Sequence, residues 1–273
     1  MSMPTSAPLY AYTGGRPFDA ALPCVVFLHG ALHDHSVWTL AARWFAHHGH
    51  SVLAVDLPGH GRSAGPALPD IEAMADAVLA LLAERGVRRA ALVGHSMGSL
   101  IALEAASRAA PGTVSHLVLV GTAYPMRVSP ALLDTAARQP LVAIDQVVTF
   151  SHASMAAKPS YPGPGAWLHG VSRALMRQVL ARSEGVAGVE HNLFHHDFSA
   201  CDRYAHGLDA AAQLQGVRCS LIVGARDRMT VPKQATAMAK ALGAEVHTLP
   251  TAGHVLMMED PDGLLAALRT ALA

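Results

Sequence analysis

The stretch AALVGHSMGSL, Ala90 to Leu100, passes from an apolar run through Gly-His-Ser-Met-Gly into a helical pattern. Ala90 to Val93 reads as a buried strand and Met97 to Ala109 as a helix, so Ser96 falls on the turn between them. Gly94 and Gly98 remove side chains that would crowd so sharp a turn. Packing alone asks for no hydroxyl at such a corner. The turn lifts the Ser96 hydroxyl above the sheet edge. It also puts the Met97 N–H at the amino end of a helix, where it stabilises negative charge. The plainer reading makes Ser96 a helix cap. Gly-x-Ser-x-Gly alone is a weak pattern, so the surrounding chain has to decide.

Outward from this corner the same alternation repeats. Cys24 to Leu28, Val52 to Val55, Leu117 to Val120 and Leu221 to Val223 are apolar throughout, as strands covered on both faces are. Helical patterns lie at Val37 to His48, Ile71 to Arg85 and Pro232 to Leu242. Alternation of this kind predicts an α/β fold: a mostly parallel central sheet with helices on both faces. It lapses after Val120 and resumes near Arg218. Residues 1–122 and 217–273 therefore read as one core, and 123–216 as an insertion over the carboxyl edge of the sheet. The insertion carries a helical pattern at Gly170 to Arg182 and the Pro- and Gly-rich stretch KPSYPGPGAW, ending at Trp167.

A serine hydroxyl needs a base to act as a nucleophile. Asp227 follows the Leu221 to Val223 strand in LIVGARDRMTVP. His254 follows a further strand, Ala244 to Leu249, in TAGHVLMMEDP. The order Ser, Asp, His, each beyond its own strand, suits a catalytic triad on a parallel sheet. Glu259 and Asp260 come too soon after His254 and read as the start of the last helix. An oxyanion needs two donors. Met97 N–H is one. His29-Gly30 after the first core strand brings Ala31 N–H forward as the second, with Leu32 as the alternative.

Together these residues resemble the α/β-hydrolase superfamily: Leu28-His29-Gly30, the Asp56 to Ser63 loop DLPGHGRS, the Gly94 to Gly98 elbow, Gly224-Ala225-Arg226-Asp227 and Ala252-Gly253-His254. The resemblance implies the α/β-hydrolase fold with a mainly helical cap formed by the insertion. Serine at position 96 argues against the aspartate-nucleophile dehalogenases and epoxide hydrolases. His60 of the DLPGHGRS loop reads as structural and exposed. The implied activity is that of a serine esterase cleaving a small or medium apolar ester. Thioesterase, lactonase, cofactor-free carbon–carbon hydrolase, perhydrolase or haloperoxidase activity, and silent ligand binding stay open as alternatives. For the substrate pocket the candidates are His29, His95, Phe150, Trp167 and Phe198, with Met155, Tyr161 and Phe194 as further cap residues. The cap aromatics could equally form the cap's own core.

Composition excludes several other classes. Lys and Arg number 20 against 20 Asp and Glu, so no net charge invites nucleic acid or an anionic membrane. No apolar run approaches the roughly 18 to 20 residues that span a bilayer. The amino terminus has no basic start before an apolar run. Three scattered cysteines predict no disulfide framework and suit a reducing cytoplasm. His191, His195, His196, Asp197, Asp202 and His206 could gather round a metal, but no complete ligand motif accompanies them. The expectation is a cytoplasmic enzyme acting on a small-molecule ester, with neither cofactor nor metal, and with no sequence signal for an oligomeric state.

Overall fold

A computed structural model describes residues 9–155 and 167–273. Seven strands form one sheet in the order β1-β3-β2-β4-β5-β6-β7. They are β1 (Ala11–Tyr12), β2 (Cys24–Leu28), β3 (Ser51–Val55), β4 (Ala90–His95), β5 (Val114–Val120), β6 (Arg218–Gly224) and β7 (Glu245–Leu249). All pairings are parallel except β1 with β3. The register sets Val26 between Leu53 and Leu92 at the centre of the sheet.

The apolar runs are apolar because both faces are covered. Along β2, Val25 and Phe27 pack on one side and Cys24, Val26 and Leu28 on the other. The first face meets α1 (Thr39–Ala46) and α11 (Pro261–Ala271), with Trp38, Phe45, Leu264 and Leu268 in the layer. The second meets α2 (Ile71–Glu84), α3 (Met97–Arg108) and α9 (Thr236–Leu242), through Met74, Val78, Ile101, Leu103 and Met238. Asp70 starts α2 by accepting a hydrogen bond from Ala73 N–H at 2.7 Å, an N-cap that fixes where the chain turns into the helix.

Between β5 and β6 the chain runs through α4 (Pro130–Arg138), α5 (Pro140–Ser151), α6 (Leu168–Arg182), α7 (Leu193–Arg203) and α8 (Gly207–Gln213). Sequence periodicity had marked α6 alone. α4 packs on α5 and α7, and α5 on α6, as a helical cap, whereas α8 packs on α3 and α9 beside the sheet. Most of the Pro- and Gly-rich stretch, with Tyr161, lies outside the described residues. Among the described residues, no helix is long and apolar enough to cross a membrane. Cys24, Cys201 and Cys219 are buried and unpaired.

Because β2 to β7 run parallel, their carboxyl ends share one edge. The segments after β2, β4, β6 and β7 are those that carry Ala31, Ser96, Asp227 and His254.

Candidate active site

Ser96 has φ 52° and ψ −120°, a left-handed backbone in a residue with a side chain. Such a conformation costs on the order of 1 to 3 kcal/mol and persists only where neighbours enforce it. Here Ser96 N–H donates to Val120 O at 2.9 Å. Its carbonyl accepts from Ser99 N–H at 2.8 Å and from the Ser99 hydroxyl at 2.6 Å. The glycines permit the crossing. A methyl group on Gly94 would collide with the Gly98 carbonyl, and one on Gly98 with the carbonyls of Leu28 and His29. Ser96 precedes α3 yet makes no side-chain cap bond, so its hydroxyl is not committed to holding the helix.

Asp227 and His254 meet as the spacing predicted. His254 Nδ1–H donates to Asp227 Oδ2 at 2.9 Å, with the carboxylate almost wholly buried. Asp227 Oδ1 accepts from the N–H groups of Met229 (2.8 Å) and Thr230 (2.9 Å), and Oδ2 also from the Thr230 hydroxyl (2.7 Å). Burial pushes this carboxyl up, but His254 and the hydrogen bonds outweigh it and hold the group below the usual carboxylate range. The carboxylate is therefore ionised and fixes which nitrogen of His254 carries the proton. Nε2 is left as the basic atom. His254 and Ser96 line the same cavity.

The loop that carries His254 is held from three directions. His254 N–H donates to Ser151 O at 2.7 Å, at the end of α5. His95 Nε2–H donates to His254 O at 2.8 Å. Glu259 accepts from Gly253 N–H (2.7 Å) and from Ala153 N–H (2.8 Å). This corrects the sequence reading of Glu259. It closes a short helix, α10 (Leu256–Glu259), and reaches back to the histidine loop, while Asp260 caps α11.

Ala31 lines the cavity beside Ser96, and Met97 opens α3, where first-turn N–H groups lack intrahelical acceptors. Leu32, the alternative donor, is excluded, because its N–H is spent on Asp197 Oδ2 at 2.7 Å. Leu32 itself has φ 52°. Asp197 comes from the cap helix α7, and the same oxygen accepts from His60 Nε2–H at 2.9 Å, both side chains being fully buried. His60 Nδ1 faces Pro58 O at 3.2 Å. Both ring nitrogens thus meet acceptors, which suits the imidazolium. Burial alone would lower the ring's pKa, but the Asp197 charge, its hydrogen bond to the ring, the Pro58 carbonyl and the Asp56 charge together outweigh it and raise His60 above its ordinary value. His60 is structural as expected, but buried rather than exposed.

The cavity has a volume of about 500 Å³, within the range of small-molecule sites. Phe150 and Phe198 line it, and Phe198 is at the same time part of the buried core. His95 lines a smaller recess together with Ser96, His33 and His152. Burial, then the neighbouring His254, holds the His95 ring well below the ordinary histidine value, so it is neutral. Two pocket candidates lie elsewhere. His29 is wholly buried, with Nδ1–H donating to Gly30 O (2.8 Å) and Nε2 accepting from Leu57 N–H (3.1 Å), and braces the loop instead. Trp167 stacks on His169 and lies under the Arg173 guanidinium, outside the cavity lining. Phe194 packs on Phe198 in the core, and Met155 is exposed.

The acidic and histidine residues of the insertion do not gather. His191 meets His195 edge to face, and His196 turns to Leu68 O. Asp197 is committed to His60 and Leu32, and Asp202 accepts from Val128 N–H. Among the described residues, the grouping with metal-like spacing is Asp34, His35 and Asp56. Its atoms are already engaged: Asp56 takes the His35 ring and the N–H groups of His35 and Arg62, and Asp34 caps a turn through Ser36.

Thr230, Arg127 and Arg228 were missed in the sequence. Thr230 had one local signal, a hydroxyl three residues after a loop aspartate. The arginines had none, since their approach to the cavity is set by the fold.

Fold and site together define an alpha/beta hydrolase. The chain belongs to the alpha/beta hydrolase family, whose family model matches residues 25–267. It is 30% identical, over 95% of its length and 96% of the relative's, to a pimeloyl-[acyl-carrier protein] methyl ester esterase of Chromobacterium violaceum. It is also 30% identical, over 93% of its length, to the dihydrolipoyllysine-residue acetyltransferase component of an acetoin cleaving system from Pseudomonas putida, of which it spans 66%. Several other curated relatives are matched over less than half of their length. Among solved structures, a thermophilic esterase superposes with a TM-score of 0.72 at 26% identity, covering 91% of this chain and 88% of the other.

Proposed function

We propose that this chain is a serine hydrolase that cleaves a carboxylic ester through an acyl-enzyme. The observation that carries the proposal is the conjunction of a strained, uncapped Ser96 with a buried Asp227–His254 pair, on one cavity. Ser96 Oγ attacks the ester carbonyl while His254 Nε2 takes its proton. Asp227 holds the tautomer and stabilises the imidazolium. The N–H groups of Ala31 and Met97 receive the oxyanion. His254 then returns the proton to the departing alcohol. Water, deprotonated by the same nitrogen, hydrolyses the acyl-enzyme. No step calls for a metal or an organic cofactor.

The likeness to two esterases, each over most of both chains, supports an ester over the other acyl compounds the same machinery could attack. In this reading α4 to α7, within residues 123–216, form a cap that selects the substrate, and the core is 1–122 with 217–273. Phe150 and Phe198 are the apolar contacts on the cap side. The free cysteines favour the cytoplasm.

The test is a stopped-flow burst with a p-nitrophenyl ester of medium chain length. A burst of one nitrophenolate per chain, absent in Ser96→Ala, is expected. No turnover of esters by folded wild-type protein would leave a ligand-binding protein of the same fold.

A further inference from the structure

Among the described residues, those lining the active-site cavity include two arginines, Arg127 and Arg228, and no aspartate or glutamate. The two approach from different parts of the fold. Arg127 lies before α4, and Arg228 directly follows Asp227 after β6. Among the described residues, neither guanidinium lies within ion-pair distance of a carboxylate, although Arg108, Arg138 and Arg173 all do.

Each arginine is oriented without being neutralised. Arg127 Nη1–H donates to the Asp202 carbonyl at 2.6 Å. Arg228 Nη2–H donates to the carbonyls of Thr149 (2.7 Å) and His152 (3.0 Å), and its guanidinium lies over the Phe150 ring at 5.6 Å. A carbonyl accepts a hydrogen bond but brings no net charge. A guanidinium has five donors in a planar fork, so each arginine keeps donors free. Two positive charges on one cavity lining favour an anion there, whose oxygens can accept from the free donors. Gln146 and Ser129 at the same cavity add neutral groups able to donate. The side chains of Leu132, Val147, Phe198 and Met229 supply apolar lining, with Thr135 and the triad groups as further polar neighbours.

We propose that this cavity takes an ester bearing an anionic group, a carboxylate or a phosphate, which Arg127 and Arg228 bind while the apolar lining holds the chain between that group and the scissile carbonyl. This rests on the ester-hydrolase reading and narrows its substrate class.

The experiment compares kcat/KM for three p-nitrophenyl esters of matched chain length. One ends in a methyl group, one in a carboxylate and one in a phosphate monoester. At least one anionic ester is expected to exceed the neutral one, and which one identifies the anion. The ratio of anionic to neutral kcat/KM should fall about tenfold in Arg127→Gln and about tenfold in Arg228→Gln, chiefly through KM. Because Arg228 also ties two carbonyls, wild-type protein is tested in parallel against rising NaCl, which should shrink the same ratio. Anionic esters no better than the neutral one, or a ratio indifferent to both substitutions and to salt, would overturn the inference and leave the esterase reading standing. Calorimetric titration of wild-type protein with hexanedioate, with phosphate and with hexane-1,6-diol reads the anion site without turnover. Binding of neither anion above the diol also overturns the inference. Anion binding lost in the arginine variants sustains it even if no ester is cleaved.

Discussion

Thr230 stands where three groups of the site converge. Its hydroxyl has one proton, and the nearer acceptor is Asp227 Oδ2 at 2.7 Å rather than Gly121 O at 3.0 Å. Its lone pair faces His254 Nδ1 at 3.1 Å. Thr230→Val keeps the shape and removes these contacts. The loss of about 0.5 to 1.5 kcal/mol per hydrogen bond should lower the melting temperature and reduce kcat by roughly tenfold, as His254 gains freedom to turn. Unchanged kcat would make the hydroxyl a packing group. Asp227→Asn is far more severe. An amide in place of the carboxylate presents a donor to His254 Nδ1 or leaves it an uncharged acceptor, and kcat should fall by on the order of 10³ to 10⁴ with the fold retained. Asp227 and His254 were legible in the sequence because each follows its own strand. Thr230 gains its role from a turn that folds back onto the carboxylate, which residue order alone does not display.

At the scale of elements, α7 does more than roof the cavity. Asp197 reaches from it into the core, where one oxygen serves His60 and Leu32 from two separate loops. The partners lie 137 and 165 residues away in sequence, so no local pattern could have revealed the link. Removing one member of a buried pair strands the other charge, at a cost of about 3 to 5 kcal/mol. Asp197→Ala should therefore lower the melting temperature sharply. It should also cut kcat more than KM rises, since Leu32 N–H loses its anchor beside Ala31, the proposed oxyanion donor. A melting temperature equal to wild type would contradict a charged pair. The helices α4, α5 and α7 of the cap, and α8 beside the sheet, went unread in the sequence for a related reason. Their apolar residues are divided between the cavity, the cap's own packing and the core, which blurs the single stripe that periodicity detects. The strands were legible because burial on both faces leaves uninterrupted apolar runs. The two-residue β1 is too short to leave any.

Across the whole molecule, buried histidines set the response to acid. Burial brings His29 and His152 down to about 4 from 6.5, and lowers His33 and, well below the ordinary value, His95. A histidine lowered on folding stabilises the protein above its unfolded value and loses that contribution as pH falls toward the folded one. Stability should therefore decline from pH 6.5 to about 4. His60 has the opposite sign. Its raised value stabilises most below 6.5, and that contribution fades as pH rises through the folded value. The lowered carboxyls of Asp56, Asp197 and Asp227 stabilise above 3.8, and that share is lost as pH falls through their folded values. Urea unfolding from neutral pH downward should show unfolding accompanied by proton uptake across the histidine window. A stability independent of pH there would mean that the histidines are not held neutral. Such pH behaviour is not legible from 17 histidines in a sequence, because burial assigns each its sign.

The proposed chemistry requires Ser96 Oγ to be the nucleophile. The most direct measurement is labelling with a fluorophosphonate, followed by peptide mass mapping of wild-type protein and of Ser96→Ala. A single adduct on Ser96, missing from the alanine variant and slowed in His254→Ala, is the expected result. An adduct on another residue, or none on folded protein whose ester turnover survives Ser96→Ala, would contradict it.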